Sequence, residues 1–214
     1  MANRDLIQYR QEYGREKLVV NEMLDDPIAQ FKHWFKQAES AGVKEPNTMT
    51  LATVDINGQP TIRVVLLKEI TNLGLIFYSN FKSRKGREIA KHPHSAINFY
   101  WQLVERQVRF DGTITKINES KADAYFRTRP RGSQLGAWVS AQSEAIPSRE
   151  YLEEQLEIYK ERFQDKEIPR PPHWGGYLLT PGKVEFWQGG ENRLHDRIQY
   201  TAQGSSWTRC RLAP

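Results

Sequence analysis

Apolar and polar residues alternate along this chain with two different periods, and these periods predict where helices and strands lie. In segment 25–42 the apolar residues recur every three or four positions, which is typical of a helix with one buried face. Asp26 is suited to cap this helix, Pro27 to its first turn and Gly42 to its end. The predicted buried face consists of Ile28, Phe31, Phe35 and Ala38.

Three further helices are predicted from similar signals. Segment 83–93 is short and basic and has Ser83 as a candidate cap, and segment 119–130 is stopped by Pro130. Segment 148–163 is amphipathic. Before this last helix we expect a loop that contains glycine and serine.

Segments in which apolar and polar residues alternate at every second position predict strands. Residues 49–68 predict a β-hairpin, because Asn57-Gly58 is a preferred two-residue turn. Further strands are predicted at 73–79, 95–101, 106–117, 175–180, 183–188, 197–201 and 206–211. Because these strands follow one another in hairpins instead of alternating regularly with helices, they predict an α+β fold, with an antiparallel barrel or sandwich and surrounding helices.

Composition restricts the class of protein. The 214 residues are enough to bury a core, and we expect a single domain over 1–214 because the Pro-rich connector at 169–172 is too short to separate two. The formal net charge of +5 favours anionic partners without distinguishing nucleic acids from small phosphates. The one cysteine, Cys210, excludes an internal disulfide and fits the cytoplasm. We expect no membrane span and no export signal.

Several common ligand-binding motifs are absent from the sequence. It contains no glycine-rich dinucleotide or P-loop motif, no H-E-x-x-H and no C-x-x-C. His92 and His94 flank a proline, and a turn between a helix and a strand explains them better than a metal pair does, so we expect no metal site. Ser133 does not have the spacing of a nucleophile elbow.

Three clusters of basic and hydroxyl side chains remain, and each suits a phosphate group. The first is Arg63 with Lys68. On a regular strand, residues five positions apart point to opposite faces, so the two would bind different anions or one would be solvated. Arg63 lies beside the apolar segment 64–67, which we expect to be buried, and it therefore needs a partner. Both a bound anion and a structural salt bridge remain open.

The other two clusters lie where a predicted helix begins or ends. The second cluster is Tyr78, Ser79, Arg84 and Lys85. It can hold a phosphate at a helix N-terminus, although a solvated basic helix face explains it as well. The third cluster is Tyr125, Arg129 and Ser133. Its first two residues share a helix face, and the alternative is an exposed helix end that carries cations.

Taken together, the motifs resemble the pyridoxamine (pyridoxine) 5′-phosphate oxidase family. The segments that carry the resemblance are "RVVLLK", "YSNFKSRKG", "ERQVR", "YFRTRPRGSQLGAWVSAQS", "WGGY", "EFWQGGENRLHDR" and "RLAP". They occur in one order from about Arg10 to Pro214. Thr128 and Ser79 differ from the residues common in the family only by exchange of one hydroxyl residue for another.

The resemblance implies an antiparallel split β-barrel that binds FMN between the subunits of a homodimer. The residues implied to hold FMN are Arg63, Tyr78, Ser79, Arg84, Lys85, Gln107, Gln142, Ser143, Trp187 and Arg197. Those implied to hold the substrate are Arg10, Tyr13, Lys68, Tyr125, Arg129, Ser133, Arg193 and His195. Arg193 and His195 are the catalytic candidates. Residues 1–20 are implied to be a flexible segment, of which Arg10 to Tyr13 covers the site. Since Arg193, His195 and Arg197 share strand parity, bending after Gly189-Gly190 must separate their roles.

The implied reaction oxidises pyridoxamine 5′-phosphate or pyridoxine 5′-phosphate to pyridoxal 5′-phosphate. FMN accepts a hydride equivalent, O2 reoxidises it and hydrogen peroxide is released, together with ammonia when the substrate is the amine. Two other classes remain as alternatives. One is a basic, aromatic-rich nucleic-acid binder, although we expect no nucleic-acid partner, and the other is a carrier of FMN or pyridoxal phosphate without activity.

Overall fold

The computed structural model describes residues 12–14 and 17–214. Within these residues, the α-helices are α1 (Pro27–Ser40), α2 (Arg84–Lys91), α3 (Glu119–Thr128), α4 (Arg131–Val139) and α5 (Arg149–Arg162). The strands are β1 (Thr48–Val54), β2 (Pro60–Leu66), β3 (Glu69–Thr71), β4 (Gly74–Asn80), β5 (His94–Trp101), β6 (Arg106–Lys116), β7 (Trp174–Gln188), β8 (Asp196–Gln203) and β9 (Ser206–Leu212). Arg10 and part of the 1–20 segment lie outside the described residues.

The strands form one sheet in the order β2-β1-β5-β6-β7-β4-β3, and β8 pairs with both β7 and β9. Antiparallel pairs join β3 to β4, β4 to β7, β7 to β8 and β8 to β9. The prediction of an antiparallel α+β fold is therefore confirmed. Residues 12–14 and 17–214 contain no helix that is long and apolar enough to cross a membrane.

The two strands predicted at 175–180 and 183–188 are one continuous strand, β7. Its first part pairs with β4 as far as Leu179, and its last part pairs with β8 from Lys183. Pro181 lies between these two pairings. Because proline has no N–H to donate to a ladder, it fits the position where β7 exchanges one partner for the other without ending the strand.

The chain divides into two compact units. Unit 1 comprises Met1–Met49, Ile97–Asp111 and Pro181–Pro214, and unit 2 comprises Thr50–Ala96 and Gly112–Thr180. Whether the chain acts as one FMN-binding domain stays a prediction.

Aromatic side chains fill the core of unit 1. The ring of Phe31 on α1 lies 4.9 Å from the rings of both Phe99 and Phe110, and Trp34 lies 5.1 Å from Phe186. The Asp26 carboxylate accepts a hydrogen bond from the Ile28 N–H at 2.9 Å, so the predicted N-cap is confirmed. These contacts attach α1 to strands β5, β6 and β7.

Unit 2 has a core of its own, and it explains why helix α4 forms where we expected a loop. Leu135 and Ala137 of α4 are buried with Phe126, Phe163 and Trp174. Gly132 and Gly136 lower the helix propensity of this segment. Burial of the apolar face of α4 compensates for that loss. Because this burial depends on tertiary packing, helix propensity and capping signals did not predict the helix.

The predicted hairpin at 49–68 is confirmed, but its turn is longer than we expected. The N–H of Gly58 donates to the carbonyl of Asp55, and the next pair of the ladder joins Asp55 to Gln59. Gly58 has φ +82°. The Asp55 carboxylate accepts hydrogen bonds from the N–H groups of Asn57 and Gln59, which stabilises a turn of three residues instead of two.

Candidate active site

A cavity of about 710 Å³ in unit 2 brings together residues from all three basic clusters. Of the predicted site residues, those that line it are Arg63, Lys68, Tyr78, Ser79, Lys85, Tyr125, Arg129, Ser133 and Gln142. Strand β2 ends at Leu66, and Lys68 lies beyond it, where its N–H donates to the carbonyl of Ile76. The assumption of a regular strand from Arg63 to Lys68 was therefore wrong.

Lys85 is a buried cation at the start of α2. Its side chain is only 8% exposed, and its ammonium lies 3.2 Å from the Ser79 hydroxyl oxygen and 3.5 Å from that of Ser83. No ion pair to Lys85 occurs in the described part of the chain. Burial, reinforced by the positive charge of Arg63, lowers the pKa of Lys85. A buried ammonium bonded only to hydroxyl groups is suited to receive an anion.

Glu88 holds two of the predicted phosphate ligands, and sequence analysis missed it. Its carboxylate is 2.8 Å from Nε of Arg84 and 3.1 Å from Nη2 of Arg63, and it also accepts hydrogen bonds from Thr53 and Thr61. Burial alone would raise the pKa of Glu88, but these hydrogen bonds together lower it to about 2. Arg63 thus has a structural salt bridge and also lines the cavity.

Arg84 differs from the other members of its cluster. It is not among the residues that line the cavity, and its side chain is 56% exposed beside Glu88. The spacing of four between Arg84 and Glu88 on a helix is the one local signal that could have revealed Glu88.

Stacked aromatic rings form one wall of the cavity. The rings of Tyr78 and Tyr125 lie 3.9 Å apart at 13°, and Tyr78 also stacks on Trp174 at 5.4 Å. Burial, together with nearby Glu69 and Tyr125, raises the pKa of Tyr78 to about 12. Burial likewise raises the pKa of Tyr125. Both phenols are therefore protonated at neutral pH and can donate hydrogen bonds.

Arg129 lies against the same wall. Its guanidinium is 4.5 Å from the centre of the Trp174 ring, and burial lowers its pKa. Its Nη1 atom is buried and has no hydrogen-bond partner among the described residues. A buried guanidinium nitrogen without a hydrogen-bond partner lowers the stability of the fold unless an anion or a water molecule accepts its hydrogen bond.

A sharp turn in unit 1 carries Arg193 and His195. Strand β7 ends at Gln188, and Asn192 and Arg193 have φ values of 53° and 61°, so the predicted bend after Gly189-Gly190 is confirmed. A side chain at Gly190 would place Cβ 2.5 Å from the carbonyl oxygen of Leu194, which only glycine avoids.

The same turn fixes the hydrogen bonding of His195. The N–H of Gly190 donates to Nδ1 of His195 at 3.1 Å. Because Nδ1 accepts this bond, the neutral ring carries its proton on Nε2. His195 therefore presents an N–H donor on its free side and not a basic nitrogen.

Rings surround His195. Trp187 lies 4.8 Å from it, and Tyr13 lies edge-on to Trp187 at 5.8 Å and to His195 at 5.9 Å. Gly189 leaves room for this contact, since a Cβ there would lie 2.7 Å from that of Tyr13. Tyr13 thus contacts two of the predicted site residues.

Glu185 is a second buried carboxylate that was not among the predicted site residues. It is 4% exposed, and it accepts two hydrogen bonds from Arg197 at 2.9 and 3.1 Å. Nη2 of Arg109 lies 3.1 Å from the same group. The hydrogen bonds to Glu185 raise the pKa of Arg197 and fix the direction of its guanidinium.

Two other predicted FMN ligands, Gln107 and Ser143, do not line the cavity. Gln107 is half-buried on β6, and Ser143 has φ +77°. Residues 12–14 and 17–214 contain no group of three or more His, Cys, Asp or Glu side chains placed to hold a metal ion.

Family models and relatives of one kind match nearly the whole length of this chain. The family model described as pyridoxamine 5′-phosphate oxidase matches residues 35–162, and that of the pyridoxine 5′-phosphate oxidase C-terminal dimerisation region matches 174–214. A pyridoxine/pyridoxamine 5′-phosphate oxidase of Rubrobacter xylanophilus is 52% identical over 100% of this chain and 98% of its own length. One of a Cyanothece species is 49% identical over 96% of each.

Two solved structures share the fold of this chain. PhzG from Burkholderia lata, in complex with tetrahydrophenazine-1-carboxylic acid, has a TM-score of 0.87 at 30% identity and covers 93% of this chain and 98% of its own. A pyridoxamine 5′-phosphate oxidase-related FMN-binding protein of Nostoc punctiforme, with a TM-score of 0.68 at 19% identity over 92% and 99%, shares the fold. The predicted split-barrel fold class is confirmed. The chain belongs to the pyridoxamine 5′-phosphate oxidase family.

Proposed function

We propose that this chain is an FMN-dependent oxidase that converts pyridoxamine 5′-phosphate or pyridoxine 5′-phosphate into pyridoxal 5′-phosphate. Its full-length relatives carry the name of this activity. We further propose that O2 is the electron acceptor, that hydrogen peroxide is released, and that the protein works in the cytoplasm, which its single cysteine supports.

The observation that carries this proposal is the charge of the cavity in unit 2. Arg63, Lys68, Lys85 and Arg129 line it, and none of the described residues that line it carries a carboxylate. In addition, Lys85 is buried without an ion pair among the described residues, and Nη1 of Arg129 is a buried atom without a hydrogen-bond partner among them. Buried cations of this kind fit phosphate groups, so the residues present fit both FMN and a phosphorylated substrate.

We assign the two phosphates to different parts of the cavity. Lys85, with Ser79 and Arg63, would hold the FMN phosphate, and Arg84, Tyr78, Gln142 and Ser143 complete this group. Arg129, with Lys68, Tyr125 and Ser133, would hold the phosphate of the substrate. When bound, FMN supplies the redox chemistry by accepting a hydride equivalent from the substrate. Gln107, Trp187 and Arg197 would contact the flavin.

The turn at 189–195 would orient the substrate. Arg193 stays protonated at neutral pH, so its role is electrostatic and positional. His195 presents an Nε2–H donor, because its Nδ1 accepts from Gly190. We therefore propose that His195 donates a hydrogen bond to the ring oxygen of the substrate and does not act as a general base through Nε2.

We propose a homodimer, which the matched dimerisation region at 174–214 supports. Edge strand β2 supports it as well, because Ile62 and Val64 expose 72% and 65% of their side chains and Leu66 exposes 39%. We had expected Val64 and Leu66 to be buried. An apolar stripe on an edge strand usually needs a covering partner, and a second copy of the chain would provide it.

Oxygen uptake by the purified protein, with and without added FMN, tests the function. We expect uptake with pyridoxamine 5′-phosphate and with pyridoxine 5′-phosphate, and little with unphosphorylated pyridoxamine, since Lys68 and Arg129 would then lack their anion. Bound flavin without oxygen uptake would indicate a carrier. A protein that stays colourless with FMN but is retained on DNA in a salt-dependent manner would indicate a nucleic-acid binder.

A further inference from the structure

The segment that follows Tyr13 is held to unit 1 by side chains of the β8–β9 hairpin. The carboxylate of Asp196 accepts a hydrogen bond from the N–H of Leu18 at 2.8 Å, and Nη2 of Arg211 donates to the carbonyl of Leu18 at 2.7 Å. Nη1 of Arg211 also pairs with Asp196. The Asp196–Arg211 ion pair thus binds both the N–H and the carbonyl of Leu18.

Further along the segment, a different arginine makes similar contacts. Arg209 donates to the carbonyls of Val20 and Met23 and pairs with Asp25. Arg209 and Arg211 lie two positions apart on β9, so both reach the same side of the hairpin. The Asp196–Arg211 pair is the attachment nearer in sequence to Tyr13.

Asp196 also lies next to His195 in sequence, at the first position of β8. It therefore links the segment to the turn that carries Arg193 and His195. At the other end of this link, the ring of Tyr13 rests on Trp187 and His195, and the N–H of Gly14 bonds to Glu105 at 3.1 Å.

We propose that Asp196 and Arg211 are positioning residues: by clamping the backbone of Leu18 they hold Tyr13 over His195 and so complete the binding of the substrate. This inference rests on the proposed function. Because the pair acts through Tyr13, it affects the fraction of molecules whose site is closed and not the chemistry inside a closed site. Apparent affinity falls in proportion to that fraction.

Arg211→Met is the main test, and steady-state kinetics with pyridoxamine 5′-phosphate is the assay. We expect KM to rise about tenfold, equivalent to about 1.4 kcal/mol, while kcat changes less than about twofold. Arg211→Lys keeps the charge beside Asp196 and should recover part of the loss. Asp196→Asn tests the other member of the pair and should shift KM in the same direction.

Two controls separate positioning from general damage. Arg209→Met loosens the segment farther from Tyr13 and should leave KM within about twofold of the wild-type value. An equal rise of KM in Arg209→Met would overturn the specific role of the pair. In a Tyr13→Ala background, Arg211→Met should add nothing further to KM, and additive effects would show that the pair does not act through Tyr13.

Limited digestion with trypsin provides a readout that does not depend on activity. Cleavage after Lys17, which is exposed and adjoins Leu18, should be faster in Arg211→Met than in Arg209→Met. Equal rates would overturn the clamp, whatever the enzyme does. A wild-type protein without B6-phosphate turnover would refute the proposed function, whereas an active enzyme with unchanged KM in the variants would refute only this inference.

Discussion

Replacing Lys85 by methionine separates a ligand-binding lysine from a structural one. Lys85 is 8% exposed, and among the described residues its ammonium bonds only to the hydroxyls of Ser79 and Ser83. Its pKa in the folded protein is lowered by burial and by Arg63. The charged form is therefore less favourable in the folded apoprotein than in the unfolded chain at neutral pH. This cost disappears only as the pH rises past the ordinary value for lysine.

The two consequences of Lys85→Met have opposite signs. The apoprotein should become more stable at neutral pH, because an unfavourable buried charge is removed and an apolar chain of similar length replaces it. FMN binding should weaken, because one charge-assisted hydrogen bond to the phosphate is lost. Such a bond contributes about 1.5–3 kcal/mol, which corresponds to a rise in Kd of about 10- to 150-fold.

The assay combines titration of the apoprotein with FMN, followed by flavin fluorescence, with urea unfolding of the same sample. Lys91→Met is the matched control, since Lys91 is an exposed lysine in the last turn of the same helix. It removes the same charge and should change the Kd by less than about twofold. A Lys85→Met protein that is less stable and binds FMN normally would refute the assignment.

Three other variants test the remaining geometry. Glu88→Gln should be less stable than the wild type at about pH 7, and this difference should vanish in urea unfolding as the pH falls from about 5 to 2, because the lowered pKa of Glu88 stabilises the fold only while the carboxylate is ionised. Arg129→Met should raise the KM for pyridoxamine 5′-phosphate by about tenfold or more and leave the Kd of FMN unchanged; a loosened flavin would mean that the two phosphate sites are exchanged. Gly190→Ala forces Cβ to within 2.5 Å of a backbone oxygen, so we expect a loss of about 1–3 kcal/mol in thermal unfolding and lower turnover. Gly136→Ala, which meets nothing within 4 Å in helix α4, should instead be neutral or stabilising.

Helices with local signals at their ends were predictable from sequence. Asp26 and Ser83, the two predicted caps, each accept the hydrogen bond of an N-cap, and Ser148 does the same at the start of α5. Helix α4 lacks such a cap, since Pro130 precedes it without a side-chain bond. Its stability comes from burial against Phe126, Phe163 and Trp174, and the last two are close to it only in the folded chain.

The candidate site shows the same division between local and tertiary information. The cations were found from sequence because phosphate binding requires basic residues, and these occur in compact motifs. Glu88 and Glu185 were missed because their roles depend on partners elsewhere in the chain: Arg63 lies 25 residues from Glu88, and Arg197 lies 12 residues from Glu185. A carboxylate that orients an arginine has no composition signal of its own.

These carboxylates also determine how much charge is left for ligands. Arg63 and Arg84 share one carboxylate, Glu88, and Lys85 pairs with none among the described residues, so these three cations leave two positive charges uncompensated. Lys68 and Arg129 line the cavity without a carboxylate there and again supply two. A phosphate monoester carries about −1.5 to −2 charges at neutral pH, so each group matches one phosphate. A ligand with a single carboxylate, such as the one bound by PhzG, would leave a positive charge unmatched. The charge balance therefore favours a phosphorylated substrate beside a phosphorylated cofactor.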